Sequence, residues 1–157
     1  MLHGDAIRET GMFANSFGDS RPAWISGADA GDLCATALLD PHSHANTPFV
    51  YPPGHELLSQ QQIADIVSEE TGREVRYQHI TANEWSRQLV AHSGGVPNHA
   101  MIAHITTQAT MCENNTTLLR NDIDPSALAA ASGRPPQTFR NFVRQHRSAF
   151  EAVTAEV

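Results

Sequence analysis

The stretch "LLSQQQIADIVSEETGREVRYQHI", residues 57–80, constrains the fold of this chain more than any other. Ser59 and Gln62 have capping-box spacing, with Leu58 and Ile63 at the positions of a hydrophobic staple. Ile63, Ile66, Val67 and Glu70 share one helical face, and Gly72 is the left-handed residue that ends such a helix. "EVRYQHI" then alternates, with Val75, Tyr77 and His79 opposite Arg76, Gln78 and Ile80; on this pattern His79 faces the core. Short strand-like runs also lie upstream, in "GMFAN" and "PAWIS". Strands joined through a helix need a parallel or mixed sheet, because the crossover must bring the chain back in the same direction.

Further helices are marked by the same kinds of signal. Thr81 and Glu84 form a second capping box with Ile80 and Trp85 as its staple, ahead of Leu89, Val90 and a "GG" break. A helix from Asn98 to Cys112 places Met101, Ile105 and Ala109 in register. "IDPSALAAASG" reads as a short helix capped by Asp124, with Pro125 first and Gly133 last. Thr138 caps a closing helix with a stripe of Phe139, Phe142, Val143, His146 and Phe150. Between Asp29 and Leu39, "DAGDLCATALL" puts Leu33, Ala37 and Leu38 on one face, and "FVY" is a short strand after the "DPHSHANTP" loop. The expectation is a helix-rich α/β chain of about five helices and three or four short strands. Residues 1–20 are the least patterned and the stretch expected to be poorly ordered.

Composition narrows the function. A length of 157 residues fits one domain, and 40% hydrophobic with 17% charged residues is globular rather than disordered. The net charge of −7 argues against nucleic acid. The run "RPPQTFRNFVRQHR" holds Arg134, Arg140, Arg144 and Arg147, read as the solvated face of a helix. Every basic residue is arginine, which excludes a Schiff base, a Walker lysine and a Tyr-xxx-Lys reductase pair. Cys34 and Cys112 are expected to be free thiols, with Cys34 buried in its alanine-rich helix. No apolar run reaches the ~20 residues of a membrane span, so a soluble, cytoplasmic protein is expected.

Four segments carry a resemblance: "IRETGMFANSFGDSRPAWIS", "ADAGDLCATALLDP", "LLSQQQIADIVSEETGREVRYQHI" and "ASGRPPQTFRNFVRQHRSAF". In this order they resemble the C-terminal half of the NmrA-like family, the atypical short-chain dehydrogenase/reductases. The ergot-alkaloid reductases and NAD(P)H-dependent quinone reductases are the nearest branch. The resemblance implies the substrate lobe of a Rossmann-type fold, a single domain over residues 1–157. The family's glycine-rich turn, which holds the cofactor pyrophosphate at a helix N-terminus, has no counterpart among Gly4, Gly11, Gly18, Gly27 and Gly31. No cofactor-binding residue is therefore carried over, and NADP is expected only where a partner chain supplies the nucleotide-binding lobe.

Two functions follow. One is an oxidoreductase-family enzyme acting on a small aromatic, polyketide or alkaloid metabolite, either as the substrate lobe of a split NAD(P)H enzyme or as a redox-neutral cyclase or isomerase. The other is a non-enzymatic binding or regulatory protein. In the fold that the resemblance implies, the segment after "GGVP" lines the substrate pocket. His99 and His104 are its candidate catalytic residues, either as a general acid or base or as solvated helix histidines. Trp85, Met101 and Ile105 are candidates for substrate binding or for core. His42, His44 and His55 lack the fixed third ligand and second shell of a metal site, so no metal is expected. Glu69 and Glu70 read as a solvated face, and Asp122 and Asp124 as part of a helix cap. The expected partners are a small molecule and either a second copy or a Rossmann-type chain, with no membrane and no nucleic acid.

Overall fold

The structure, a computed structural model, describes residues 3–40, 54–92, 98–114 and 124–152. The "FVY" run, the "GG" break, His42, His44 and Asp122 lie outside them. The described residues form seven α-helices and four strands in the order α1 (Gly4–Thr10), β1 (Met12–Asn15), β2 (Ala23–Trp24), α2 (Gly27–Leu39), β3 (Glu56–Leu57), α3 (Gln60–Thr71), β4 (Arg76–His79), α4 (Ala82–His92), α5 (His99–Glu113), α6 (Pro125–Ser132) and α7 (Phe139–Gln145). A 3-10 turn at Arg147–Ala149 follows α7.

The helix-rich α/β class is the one expected, with more helices than the sequence tally. Residues 4–10 form α1, which the sequence does not signal. Its N-cap residue His3 makes no side-chain cap hydrogen bond, and the helix ends on left-handed Gly11. Ile7 and Phe13 from this stretch are buried in the main core.

β1 and β4 pair in parallel, Phe13 opposite Tyr77 and Asn15 opposite His79, with α3 as the crossover into β4. β2 and β3 pair antiparallel. α3 is built as its sequence predicts: the capping box is complete at Ser59 and Gln62, and Gly72 takes a left-handed φ of 72°. Ala64 and Val67 of α3 pack with Ile7, Phe13, Val75, Val143 and Phe150 in one cluster. A second cluster holds Ile80, Trp85, Leu89, Ile102 and Ala109.

Four expectations are corrected. His79 is half-exposed and its Nε2 lies 2.9 Å from Glu113, so β4 ends in a polar surface contact to α5 and not in the core. In α5 Ala109 and Ile105 of the expected register do pack in the second cluster, but Met101 is exposed and the buried face is completed by Ile102, Thr106 and Cys112. The Thr106 hydroxyl donates to Ile102 O at 2.9 Å, so a polar residue enters the core satisfied. In α2 Leu38 is exposed, as is Cys34, while Cys112 is buried and its thiol pKa pushed up by that burial.

The fourth correction concerns charge. Glu70 is not solvated: its side chain is 12% exposed and held by Arg140 at 2.6 Å and Arg144 at 2.7 Å. Those bonds, Arg144 first, hold its carboxyl below the ordinary carboxylate range. Arg134, Arg140, Arg144 and Arg147 all meet carboxylates, so this run ties helices together instead of offering free cations.

Candidate functional site

Where β1, α3, α4 and α7 converge, the two clusters leave a cavity of about 430 Å³ between them, the size of a small-molecule site. β1 alternates, so Phe13 and Asn15 both point to the interior. The first turn of α3 contributes Gln60 and Ile63, α4 contributes Trp85, and α7 contributes Phe139 and Phe142. Seven of the lining side chains are aromatic, and both tryptophans of the chain, Trp24 and Trp85, are among them. Phe17 stands between those two, its ring centroid 5.9 Å from Trp24 and 5.7 Å from Trp85. Trp24 is anchored by its own Nε1–H, which donates to Leu58 O at 2.8 Å.

Polar groups are few and fixed. Asn15 Nδ2 donates to Gln60 Oε1 at 2.8 Å, while the Phe17 N–H donates to Asn15 Oδ1 at 3.1 Å. One oxygen of Glu56 accepts from the Phe139 N–H at 2.6 Å, closing the N-terminal turn of α7. Among the described residues, His3 and Glu56 are the two lining side chains that ionise. His3 stacks on Trp85 with centroids 6.3 Å apart and touches Phe13 at 5.4 Å. Burial among these rings lowers its pKa from 6.5 to about 4, so the imidazole is neutral near pH 7.

That shift has a sign in stability. Between pH 6.5 and about 4 the unfolded chain binds a proton at His3 and the folded chain does not. Stability therefore falls as the pH drops through this window, by on the order of 3 kcal/mol at its lower end. Urea unfolding at stepped pH is expected to show this loss, and His3→Phe to flatten it. Glu70 acts in a lower window: its stabilisation is present above the ordinary carboxylate pKa and is lost as the pH falls below it.

Of the residues singled out in the sequence, the structure brings Trp85 and Ile105 to the cavity. Trp85 is 2% exposed and Ile105 half-buried. His99, His104 and Met101 lie on the exposed face of α5 and are not among the lining side chains. Asn15, Gln60, Glu56 and His3 were not legible as site residues; a polar residue on the inward side of β1 is the one signal available for Asn15. Among the described residues no group of three His, Cys, Asp or Glu could hold a metal ion. No helix of the described residues is long and apolar enough to cross a membrane.

The strand–turn–helix best placed to take a pyrophosphate is β2 into α2, with Gly27 at its start. Its N-terminus is already filled by an acid. Asp29 is fully buried, with Oδ2 accepting from Ser26 Oγ and from the Gln137 N–H, and Oδ1 2.9 Å from Arg134. A second anion there meets a carboxylate instead of free N–H groups.

A profile of the NmrA-like family matches residues 13–142. The chain belongs to the NmrA-like family. It is 29% identical over 153 residues to an NAD(P)H azoreductase of Xenophilus azovorans, covering 97% of this chain and 50% of that protein. Among solved structures it is similar to an NADPH-dependent quinone oxidoreductase of Escherichia coli, with a TM-score of 0.67 and 19% identity over 92% of this chain and 50% of that one. It is also similar to the triphenylmethane reductase of a Citrobacter species, with a TM-score of 0.62 and 19% identity over 93% of this chain and 46% of that one. The NmrA-like chain described here thus spans about half the length of the relatives it matches.

Proposed function

We propose that this chain is the substrate lobe of an NAD(P)H-dependent oxidoreductase, equivalent to the C-terminal half of its relatives, and that its cavity takes a planar aromatic ligand that is neutral or cationic. The observation that carries the reading is the cavity itself: seven aromatic rings, a carboxylate and a neutral imidazole, with no arginine lining it among the described residues. Aromatic faces favour flat and cationic guests. A ligand anion there meets the Glu56 carboxylate with no cation among the described lining residues to offset it. The relatives are named for azo, quinone and triphenylmethane reduction, and conjugated π systems of these kinds fit a wall of aromatic rings.

Reduction needs a hydride, which a nicotinamide nucleotide supplies when bound. In this reading the nucleotide is held by another lobe, since the N-terminal turn of α2 is already taken by Asp29. The sheet supports such a lobe. Parallel strands ordinarily lie inside larger sheets covered on both faces, yet β1 and β4 hydrogen-bond only to each other among the described residues. A Rossmann-type sheet joining an outer edge of this pair would complete it, and a second copy of this chain is the other partner that could cover it. The redox-neutral version would use His99 or His104 as its acid or base, and neither lines the cavity, where His3 and Glu56 are the ionisable side chains among the described residues.

The test uses the chain's own reporters. A cationic triarylmethane dye should quench the fluorescence of Trp24 and Trp85 saturably. Its sulfonated, net-anionic analogue should bind at least about tenfold more weakly, given one unit charge within a few ångströms of Glu56. Equal binding of the two dyes, or tighter binding of the anion, contradicts the proposal.

A further inference from the structure

Resting on that reading of the cavity, we propose that Gln60 is the specificity-determining residue that selects ligands bearing a carbonyl-type oxygen, by donating its side-chain N–H to that oxygen. The orientation of the amide follows from a chain of hydrogen bonds. The backbone N–H of Phe17 can only donate, so the end of Asn15 that it meets at 3.1 Å is the oxygen. The other end of Asn15 is therefore NH2, and it donates to Gln60 Oε1 at 2.8 Å. Turning the Gln60 amide over would set two NH2 groups against each other.

Gln60 Nε2 is the end left over. It is buried without a hydrogen-bond partner among the described residues, on a side chain that lines the cavity. Gln60 is 3% exposed and Asn15 1%. A buried donor without an acceptor is a standing loss that a ligand oxygen removes and a hydrocarbon of the same shape does not.

The donor is also held in place. Asn15 ends β1, and its carbonyl accepts from the Tyr77 hydroxyl at 3.1 Å and from the Ile80 N–H at 3.1 Å. Gln60 is the first residue of α3, directly after the Ser59 cap. Little side-chain freedom remains to be lost when a ligand binds.

The experiment compares 1-indanone with indane, which differ by one carbonyl oxygen, by NMR titration of the indole N–H signals of Trp24 and Trp85 in the full chain. The wild-type protein should bind the ketone about tenfold more tightly than the hydrocarbon. Gln60→Leu should abolish that preference, read as a ratio of the two affinities close to one within the same variant. Gln60→Met, closer in shape, repeats the comparison should the leucine variant fail to fold, and the wild-type ratio stands without either. Equal affinities in the wild type, or a preference that survives both substitutions, overturns the role of Gln60 and leaves the aromatic cavity standing. Failure of both compounds to move either indole signal overturns the cavity reading and this proposal with it.

Discussion

Asp29→Ala is expected to destabilise the protein by about 2–4 kcal/mol, read as a lower urea midpoint at unchanged slope. Asp29 is fully buried in the first turn of α2 and serves three partners. Its Oδ2 accepts from the Ser26 hydroxyl at 2.7 Å and from the Gln137 N–H at 3.0 Å, and its Oδ1 pairs with Arg134. Alanine would leave the Gln137 N–H without that acceptor. Arg134 would keep Asp32 at 2.7 Å and is partly exposed, which holds the loss below that of a wholly buried pair. Asp29→Asn should fall between, since it keeps an acceptor and loses the charge. A loss under about 0.5 kcal/mol for the alanine variant, the size expected of an ordinary surface site, contradicts this account of how α2 is joined to the segment before α7.

Trp85→Ala is expected to cost about 3–5 kcal/mol and to abolish ligand binding. Trp85 is 2% exposed and packs in the cluster of Ile80, Leu89, Ile102 and Ala109. The same ring forms cavity wall against Phe17 and His3. Truncation therefore merges the cavity with a void in the core, while Trp85→Phe should keep most of the stability and weaken binding less. Calorimetric melting together with dye titration separates the two effects. An alanine variant that keeps both wild-type stability and dye affinity contradicts the placement of Trp85 in core and wall.

The local grammar was legible in the sequence, and the tertiary pairings were not. The Ser59–Gln62 capping box, the Gly72 stop, the Thr138 cap and the β1 strand all form where their signals lie. These features depend on residues within one helical turn or one strand. The corrected features depend on partners far along the chain. Glu70 reads as solvated because Arg140 and Arg144 lie 70 or more residues away. Burial of Asp29 depends on Arg134 and Gln137, both far along the chain. Thr106 was missed on the inner face of α5 because it counts as polar in a pattern, yet satisfies its hydroxyl within its own helix. Gln60 read as one more polar residue in a helix start, since only the fold sets Asn15 against it.

The central claim is that this chain binds the aromatic ligand while another lobe binds the nucleotide. Calorimetric titration of the purified chain with NADPH alone tests it most directly. The account predicts no saturable heat at micromolar to millimolar nucleotide, with the cationic dye still binding in a parallel titration. Stoichiometric, saturable NADPH binding by this chain unaided would contradict it.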